Sequence, residues 1–204
     1  MRVLLAIVLA AAAPAVRHRP ADVQAARASV LAAADLGKGW TGEATAQRGV
    51  ALSCPGYRPS GAGVVETGAA ASPALRYGRT GPFVSQQASV YASARQADAY
   101  WRRAVRPGLL ACVVQNVEAL RARGVKVTVL SKRRLPLAAA VGHAAAYRVK
   151  ARANALVLYF DVLVLGSGRT ITTVSVSSFQ QAPPAAFEQA VARILVRKLG
   201  GPAA

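Results

Sequence analysis

The stretch that most constrains the fold is an almost unbroken apolar run from Asn154 to Gly166, N-A-L-V-L-Y-F-D-V-L-V-L-G. It carries a single charge, Asp161, near its middle. A membrane-spanning helix needs about 20 apolar residues, so this run is too short to form one. Its β-branched and aromatic side chains favour a strand. We therefore predict a strand at 155–166 that is buried on both faces of a sheet.

Three neighbouring segments have the alternating pattern of strands, and we expect them to build the sheet around this run. They span 125–135, 143–152 and 169–179. Their connections are short and rich in turn residues, which favours antiparallel pairing of consecutive strands. The sequence therefore predicts a C-terminal meander of four strands.

The rest of the chain predicts the helices that cover this sheet and two further strands. The predicted helices span 22–35, 93–105, 109–123 and 184–199, and the predicted strands span 74–79 and 84–92. The stretch 43–72 is poor in large apolar residues and is predicted to be a long loop pinned by Cys54, with a short strand inside it as the alternative. Together these elements predict an α+β fold, with an antiparallel sheet of about six strands covered by helices.

The segment from 84 to 105 combines a two-sided strand with an amphipathic helix. Alternation places Val84, Ala88 and Val90 on one side of the strand. Ser85, Gln87, Ser89 and Tyr91 share its other side. In the helix that follows, Tyr100 and Trp101 belong to the apolar stripe, and Ser93 is predicted to cap its first turn.

The charge balance of the chain is strongly basic, with 26 Lys and Arg against 8 Asp and Glu. One interpretation is coding bias, because Ala, Gly, Pro and Arg are all used heavily. The other is an anionic partner, such as a phosphate polymer, an acidic lipid or nucleic acid. The positive field is the same whichever origin applies.

The N-terminus has the features of a secretory signal peptide: a basic start, a short apolar run and an A-x-A site at Ala13–Ala15. The alternative is an uncleaved N-terminal anchor or helix, although the run is too short to span a bilayer. We predict cleavage after Ala15 and a secreted or extracytoplasmic protein with no stable membrane span. No cysteine lies near this site for lipid attachment. The predicted organisation is a signal peptide at 1–15, a flexible basic segment at 16–21, a single domain at 22–200 and a tail at 201–204.

The chain has two cysteines, Cys54 and Cys112. An even pair in an exported protein predicts a disulfide. A metal site is the first alternative, but two cysteines and one nearby histidine make a sparse ligand set for zinc. A catalytic thiol is the second alternative, and an oxidising compartment disfavours it.

The sequence contains few candidates for catalytic residues. No phosphate-binding loop, dinucleotide fingerprint or metal-ligand cluster occurs in the sequence, so we predict no cofactor and no metal. His18 lies in the basic start, and His143 lies on the apolar side of its predicted strand. A structural role for His143 is one interpretation. The alternative is a hydrolase that uses His143 with Asp161 or Asp98 and a serine, although no G-x-S-x-G turn is present.

A stripe of basic side chains is a candidate ligand-binding surface. If 125–135 and 143–152 pair, alternation places five cations on one face. These are Lys126, Lys132, Arg148, Lys150 and Arg152. The stripe is either an ordinary solvated face or a binding surface for an anionic envelope ligand. Export and the lack of interleaved aromatic residues disfavour nucleic acid as the partner.

Asp161 also has two interpretations. It is either a buried carboxylate paired with Arg148 or Arg152 on the neighbouring strand, or a polar group on the floor of a pocket. An arginine partner would make the central strand a scaffold, whereas an open pocket would make it part of a site.

Several segments together resemble a known family. The segment Val90–Trp101, V-Y-A-S-A-R-Q-A-D-A-Y-W, followed by Cys112, resembles the strand–helix–Cys segment of the PknH-like extracellular sensor-domain family. That family occurs on actinobacterial serine/threonine protein kinases and includes stand-alone exported relatives. The entry Val30–Trp40, the strand Val157–Val164 and the final helix after Pro184 also resemble its members.

The resemblance implies a non-enzymatic, sensor-like or ligand-binding module with a cleft, in which Cys54 pairs with Cys112. The kinase members carry a second cysteine pair that this chain lacks. The chain also has neither a kinase domain nor a predicted span, so a signalling role would require a protein partner. The alternatives are a basic, envelope-associated structural protein without a pocket and the hydrolase that uses His143.

Overall fold

The computed structural model describes residues 14–43, 57, 59–105, 107–138 and 141–200. Cys54, most of the expected signal peptide and the tail at 201–204 lie outside these residues. Within them, nine strands form one sheet. The strands are β1 (Ala15–Val16), β2 (Trp40–Glu43), β3 (Val65–Ala71), β4 (Ala74–Tyr77), β5 (Phe83–Tyr91), β6 (Val127–Leu135), β7 (His143–Ala153), β8 (Leu156–Ser167) and β9 (Thr170–Phe179).

The long path through the sheet has the order β1-β3-β5-β9-β8-β7-β6, and β4 pairs with both β2 and β5. The last four strands form the expected antiparallel meander, with β8 between β7 and β9. Its central residues, from Asp161 to Gly166, are all buried. The apolar run therefore lies in the middle of the sheet, where both faces are covered.

Helices cover both faces of the sheet. The α-helices are α1 (Pro20–Ala28), α2 (Ala33–Leu36), α3 (Ala94–Ala104), α4 (Pro107–Glu118) and α5 (Ala185–Lys198), and a 3₁₀ helix spans Ala119–Arg123. Ser93 caps α3 by accepting a hydrogen bond from the backbone N–H of Gln96. The mixed α+β class with a helix-covered sheet is confirmed.

Two hydrophobic cores lie on opposite faces of the sheet. On the face covered by α3 and α4, Val113 and Leu109 pack over Val149 and Val162. On the other face, Leu195 of α5 packs with Leu163 and Leu165 of β8, and Leu31 joins this core from the α1–α2 connection. The alternation of β8 supplies side chains to both cores, since successive residues of a strand point to opposite faces.

The prediction of about six strands was too low. The stretch at 43–72, expected as a long loop with a short strand as the alternative, contains β3. The segment expected to be flexible at 16–21 includes Val16 of β1 and the start of α1. Backbone hydrogen bonds tie this segment to β3, from Arg17 N to Glu66 O and from Arg19 N to Thr67 O. The helix predicted at 22–35 is two helices, and Asp22 lies inside the first one rather than at its cap.

Gly68 allows α1 to lie directly on β3. A Cβ atom at this position would be 2.3 Å from the carbonyl carbon and oxygen of Asp22. Any side chain would therefore force the helix away from the strand. The side chain of Asp22 also binds Arg169 in the β8–β9 turn, with Arg169 Nη2 at 2.6 Å from Asp22 Oδ2.

Candidate functional site

A cavity of about 350 Å³ lies between the sheet and the helices α3 and α4. Its floor consists of side chains from β5, β8 and β9, and its walls come from α3, the start of α4 and the segment near Tyr57. This volume is within the range of small-molecule sites, about 300–1,000 Å³. We refer to it as the tyrosine pocket, after Tyr57, Tyr91 and Tyr100, which line it.

The floor of the tyrosine pocket carries polar side chains. Gln87 and Ser89 point into it from β5, and Thr173 points into it from β9. Gln87 and Thr173 are register partners in the two antiparallel strands, so their side chains lie side by side on this face. Val164 and Ile171 complete the floor with apolar surface.

Aromatic rings form most of the pocket walls. Tyr91 and Tyr100 have ring centroids 5.2 Å apart at an interplanar angle of 34°. Trp101, which also lines the pocket, stacks on the ring of His143 with centroids 4.7 Å apart. Such ring contacts hold the aromatic side chains in place and leave other ring surfaces facing the cavity.

Hydrogen bonds fasten the outer wall to α3. The hydroxyl of Tyr57 donates to the carbonyl of Ala104 at the end of the helix. Arg103 Nη1 donates to the carbonyl oxygens of Ser60, at 3.0 Å, and Ala62, at 2.7 Å. The segment 59–62 and Tyr57 are therefore held by the helix that forms the adjoining wall.

Glu66 is the one charged side chain among the described residues that line the pocket. A β-bulge between Glu66 and Gly68 places Glu66 opposite Tyr91, whereas Gly68 pairs with Val90. Cα partners in antiparallel strands point their side chains to the same face. The bulge therefore turns the carboxylate of Glu66 towards the tyrosines.

Glu66 differs from every other carboxylate of the chain in its pairing. The other seven acidic residues each form an ion pair with an arginine, a lysine or a histidine. Glu66 makes no side-chain ion pair or hydrogen bond with a residue in the described part of the chain. In a chain with 26 basic residues, a half-buried carboxylate without a cation is unusual.

The environment of the pocket keeps its phenol groups neutral. Burial raises the pKa of Tyr57, Tyr91 and Tyr100 above the ordinary value for tyrosine. The negative charge of Glu66 raises the pKa of Tyr91 and Tyr100 further. Ionisation of these three phenol groups is therefore even less favourable than in an exposed tyrosine.

The structure places Asp161 away from this pocket, on the face covered by α5. Arg148 binds Asp161 through two parallel hydrogen bonds, Nε to Oδ1 and Nη2 to Oδ2, each 2.7 Å long. The same guanidinium group contacts the carboxylate of Glu188 in α5 and the carbonyl of Pro183, at 3.2 Å. Asp161 is fully buried and Arg148 is 8% exposed, so this group links the sheet to α5 in the interior.

The ion group of Arg148, Asp161 and Glu188 contains one cation and two carboxylates. The Oε2 atom of Glu188 is buried and has no hydrogen-bond partner in the described part of the chain. Burial and the neighbouring carboxylate of Asp161 raise the pKa of Glu188 to about 7. Pairing with Asp161 raises the pKa of Arg148, which stays charged.

The candidate basic residues do not all share one face. A β-bulge between Val129 and Ser131 shifts the register of β6, so Lys132 lies opposite Val149 rather than beside Arg148. The expectation that Lys132 lies on the face of Lys150 was therefore wrong. Arg133 takes the place beside Arg148 instead.

Three exposed cations and the half-buried Lys150 form what we name the basic edge: Lys126, Arg133, Lys150 and Arg152. Arg152 lies opposite Thr128. Lys126 lies one residue before β6, where its carbonyl accepts a hydrogen bond from the backbone N–H of Asn154. None of the four forms an ion pair with a residue in the described ranges. Lys150 Nζ lies 5.6 Å from the centroid of the Tyr159 ring.

His143 has a carboxylate partner but lies outside the tyrosine pocket lining. Its Nε2 atom is 3.3 Å from Asp98 Oδ1, and Asp98 also pairs with Arg102. The hydrogen bonds of the described residues include none between His143 and a serine. The hydrolase alternative therefore lacks a nucleophile beside His143 in this part of the chain. His18 precedes α1, and no cluster of metal-ligating side chains occurs among the residues that the structure describes.

Cys112 lies in α4, is almost fully buried and is not a free thiol. Its expected partner Cys54 lies outside the described residues, so the disulfide between them stays a prediction. Among the helices of the described ranges, none combines the length and apolar character needed to cross a membrane.

Comparison with known proteins supports the fold. The structure is similar to the crystal structure of the extracellular domain of PknH from Mycobacterium tuberculosis, with a TM-score of 0.54 and 12% sequence identity. The similarity covers 90% of this chain and 98% of that domain. No family model matches the sequence, and no curated protein matches it. At this identity the similarity shows a shared fold only.

The tyrosine pocket was not predicted from the sequence, although the sequence contains part of the pattern that forms it. The polar side of the strand at 84–92 faces the helix that carries Tyr100 and Trp101, and a polar strand face beneath an apolar helix indicates a cavity. Glu66 lies in a stretch that was predicted to be a loop. No local pattern marks its position next to Tyr91, because the pairing of β3 with β5 creates it.

Proposed function

We propose that this chain is an exported, sensor-like module of the cell envelope that binds a small ligand in the tyrosine pocket and acts by binding rather than by catalysis. The observation that carries the proposal is the pocket itself, with its aromatic walls, its polar floor and one carboxylate that has no ion-pair partner in the described part of the chain. Pockets with this combination of apolar surface and few polar groups are typical of small-molecule sites.

The fold and the N-terminus support an extracytoplasmic location. The similar solved structure is an extracellular domain, and residues 1–15 have the composition of a signal peptide. We propose that cleavage after Ala15 releases a single domain that ends near residue 200. Cell fractionation and N-terminal sequencing test this, with Val16 as the expected first residue. A cytoplasmic protein that retains Met1 would contradict it.

The sensor-domain family that this chain resembles occurs on serine/threonine protein kinases, and this suggests how the module acts. Ligand binding to an exported sensor-like domain changes signalling only if another protein detects the bound state. We propose that such a partner contacts this chain, and that the stand-alone exported members of the PknH-like family are its relatives.

Ligand binding to the pocket can be tested with Ser89→Leu, which places a larger side chain on the pocket floor. Ser85→Leu is the matched control, because Ser85 is on the same strand and the same face but does not line the pocket. A fluorescence screen of small aromatic and polar compounds uses Trp101 in the pocket wall as its reporter. Compounds that bind the wild type should bind Ser85→Leu equally and lose at least about tenfold in affinity for Ser89→Leu.

Two outcomes would contradict a ligand-binding role for the pocket. One is the absence of any compound that changes the Trp101 signal in the wild type. The other is an equal affinity of Ser89→Leu and Ser85→Leu for every compound that binds. In the second case the compounds bind elsewhere on the molecule.

A second candidate function is attachment to an anionic envelope ligand through the basic edge. The supporting observation is that Arg133, Lys150 and Arg152 lie on one face, with Lys126 next to them before β6. None of the four forms an ion pair within the described ranges. Exposed cations with this spacing attract a phosphate polymer or an acidic lipid. This surface would serve an envelope-associated structural role with or without the pocket.

A salt titration tests this second function. Binding to a polyphosphate or to vesicles with anionic lipid should weaken steeply as salt rises. It should also weaken in a variant with Arg133, Lys150 and Arg152 changed to Ala. A control variant with the exposed Arg27, Arg193 and Arg197 changed to Ala lowers the net charge equally. Equal loss in both variants would indicate a nonspecific charge effect rather than a site.

A further inference from the structure

We propose that the tyrosine pocket selects a small cation, either a quaternary ammonium group or a protonated amine. The inference rests on the proposed function, because it names the chemical class of the ligand for the same pocket. Three independent features carry it: the unpaired carboxylate of Glu66, the aromatic walls and the sign of the charge inside a basic protein.

The first feature is the isolation of Glu66. Every other acidic residue of the chain has a cationic side chain as its partner. Taking a carboxylate partly out of water costs free energy, and a nearby opposite charge offsets that cost. The chain has 26 basic side chains but directs none of those described to Glu66. A bound cation would supply the missing charge.

The second feature is the arrangement of aromatic rings around the carboxylate. Tyr91 is the register partner of Glu66, and the ring of Tyr100 lies 5.2 Å from that of Tyr91. Trp101 and Tyr57 line the same cavity. The faces of aromatic rings attract cations, and cages of such rings bind quaternary ammonium ligands and methylated amines.

The third feature is the local sign of the charge. The chain as a whole has a formal net charge of +18, so its surface attracts anions in general. The described residues that line the tyrosine pocket nevertheless include no lysine or arginine. An anionic ligand would meet Glu66 without a compensating cation, which would oppose its binding.

The polar floor defines the rest of the ligand. Gln87, Ser89 and Thr173 can donate or accept hydrogen bonds from below, on the side of the cavity formed by β5 and β9. A ligand with a cationic group and a hydroxyl or carbonyl group a few bonds away could pair with Glu66 and hydrogen-bond to the polar floor at the same time. Choline has this chemistry and fits easily within about 350 Å³.

Calorimetric titration with a matched pair of compounds tests the charge requirement. Choline is the cationic probe, and 3,3-dimethylbutan-1-ol is its neutral carbon isostere. Benzyltrimethylammonium serves as a larger cation that fills more of the cavity. We expect choline to bind at least about tenfold more tightly than the alcohol, since only the charge differs between them.

The variant Glu66→Gln removes the charge while keeping the shape of the side chain. It should raise the Kd of both cations by about tenfold and leave the Kd of the neutral alcohol unchanged. Glu118→Gln is the control, because Glu118 is paired with Arg121 and does not line the pocket. Its Kd values should equal those of the wild type.

The outcomes separate this inference from the proposed function. Equal binding of choline and the alcohol, unchanged cation binding in Glu66→Gln, or no binding of either cation would overturn the cationic ligand. The proposed function would still stand if other compounds bind the wild type and Ser89→Leu reduces their affinity. If no compound of the fluorescence screen binds in a way that Ser89→Leu weakens, both proposals fail.

A quaternary ammonium group can belong to a free solute or to a lipid headgroup. Vesicles of phosphatidylcholine distinguish these sources in a competition with choline. Displacement of choline by the vesicles would assign the site to a headgroup, and retention of choline would assign it to a free solute. Both results support recognition of the cation.

Discussion

Glu188→Gln should stabilise the protein at and above neutral pH and have little effect near pH 4. Glu188 shares the guanidinium group of Arg148 with Asp161, so the interior contains one more carboxylate than it has cations. Its Oε2 atom has no hydrogen-bond partner in the described part of the chain. Glutamine keeps the shape of the side chain. Its carbonyl oxygen can accept a hydrogen bond from Arg148, and its amide N–H can donate one to Asp161.

The size of the effect follows from the pKa of Glu188, which burial and the neighbouring Asp161 raise from 4.5 to about 7. A carboxyl group with a raised pKa in the folded state binds its proton more tightly there than in the unfolded chain. Its contribution to stability is therefore full below pH 4.5 and is lost as the pH rises through 7. The free energy of unfolding changes by about 1.4 kcal/mol per unit of pKa difference between the folded and unfolded states, or by about 3 kcal/mol in total.

Urea denaturation from pH 4.5 to 8.5, followed by circular dichroism, measures this effect. The informative quantity is the difference in unfolding free energy between Glu188→Gln and the wild type, because the other titrating groups cancel in it. We expect this difference to rise from near zero to about 2–3 kcal/mol across the range. Glu118→Gln, which removes an exposed carboxylate paired with Arg121, should differ from the wild type by less than about 0.5 kcal/mol at every pH.

Two results would refute this reasoning. A pH-independent difference would mean that Glu188 has an ordinary pKa in the folded protein. A loss of stability in Glu188→Gln above pH 7 would mean that the second carboxylate stabilises the ion group rather than weakening it.

Three further predictions concern stability. Gly68→Ala should destabilise the fold by about 2–3 kcal/mol or more in urea denaturation, because a Cβ atom there would lie 2.3 Å from the backbone of α1. Gly142→Ala, with its nearest neighbour at 3.8 Å, should stay close to the wild type, and equal effects would contradict the contact. Gln86→Leu should cost about 3 kcal/mol, since it removes three buried hydrogen bonds, and a neutral result would contradict their role. Cys112→Ser should lower stability by about 2–4 kcal/mol if Cys112 pairs with Cys54, and peptide mapping under non-reducing conditions should detect that pair; unpaired thiols in the exported protein would contradict it.

The meander was predictable because its signals are local. Alternating side chains and short turns define β6, β7, β8 and β9, and the unbroken apolar run of β8 identifies the central strand. The strand β3, which the sequence offered only as an unplaced short strand within a loop, reads V-E-T-G-A-A-A, and its small side chains carry little periodicity. It becomes a strand because β5 offers it a partner and α1 covers it, and both are contacts between distant parts of the chain.

The basic stripe shows how a single residue changes a prediction of this kind. Strict alternation from Lys126 to Lys132 places both on one face, but the bulge in β6 inserts one extra residue between them. Since side chains in a strand alternate with a period of two, every side chain after the bulge points to the opposite face. The sequence alone contains no marker for the bulge.

The partner of Asp161 shows what the sequence could predict and what depended on the tertiary structure. Its position in an apolar strand required a partner, and the basic neighbouring strand offered Arg148 and Arg152 as candidates. The register of β7 with β8 places Arg148, and not Arg152, opposite Asp161. The packing of α5 brings Glu188 into contact with the same guanidinium group.

By itself the sequence determined the fold class, the order of the meander and the buried central strand, because hydrophobic periodicity and turn residues act over a few positions. The tertiary structure decided where the candidate site lies. The lining of the tyrosine pocket includes Tyr57, Glu66 and Tyr91 together with side chains of α3 and β9. Its first and last members in this set, Tyr57 and Thr173, are more than one hundred residues apart in the sequence. Strand pairing and helix packing bring them together, and the bulge in β3 turns the unpaired carboxylate towards the rings.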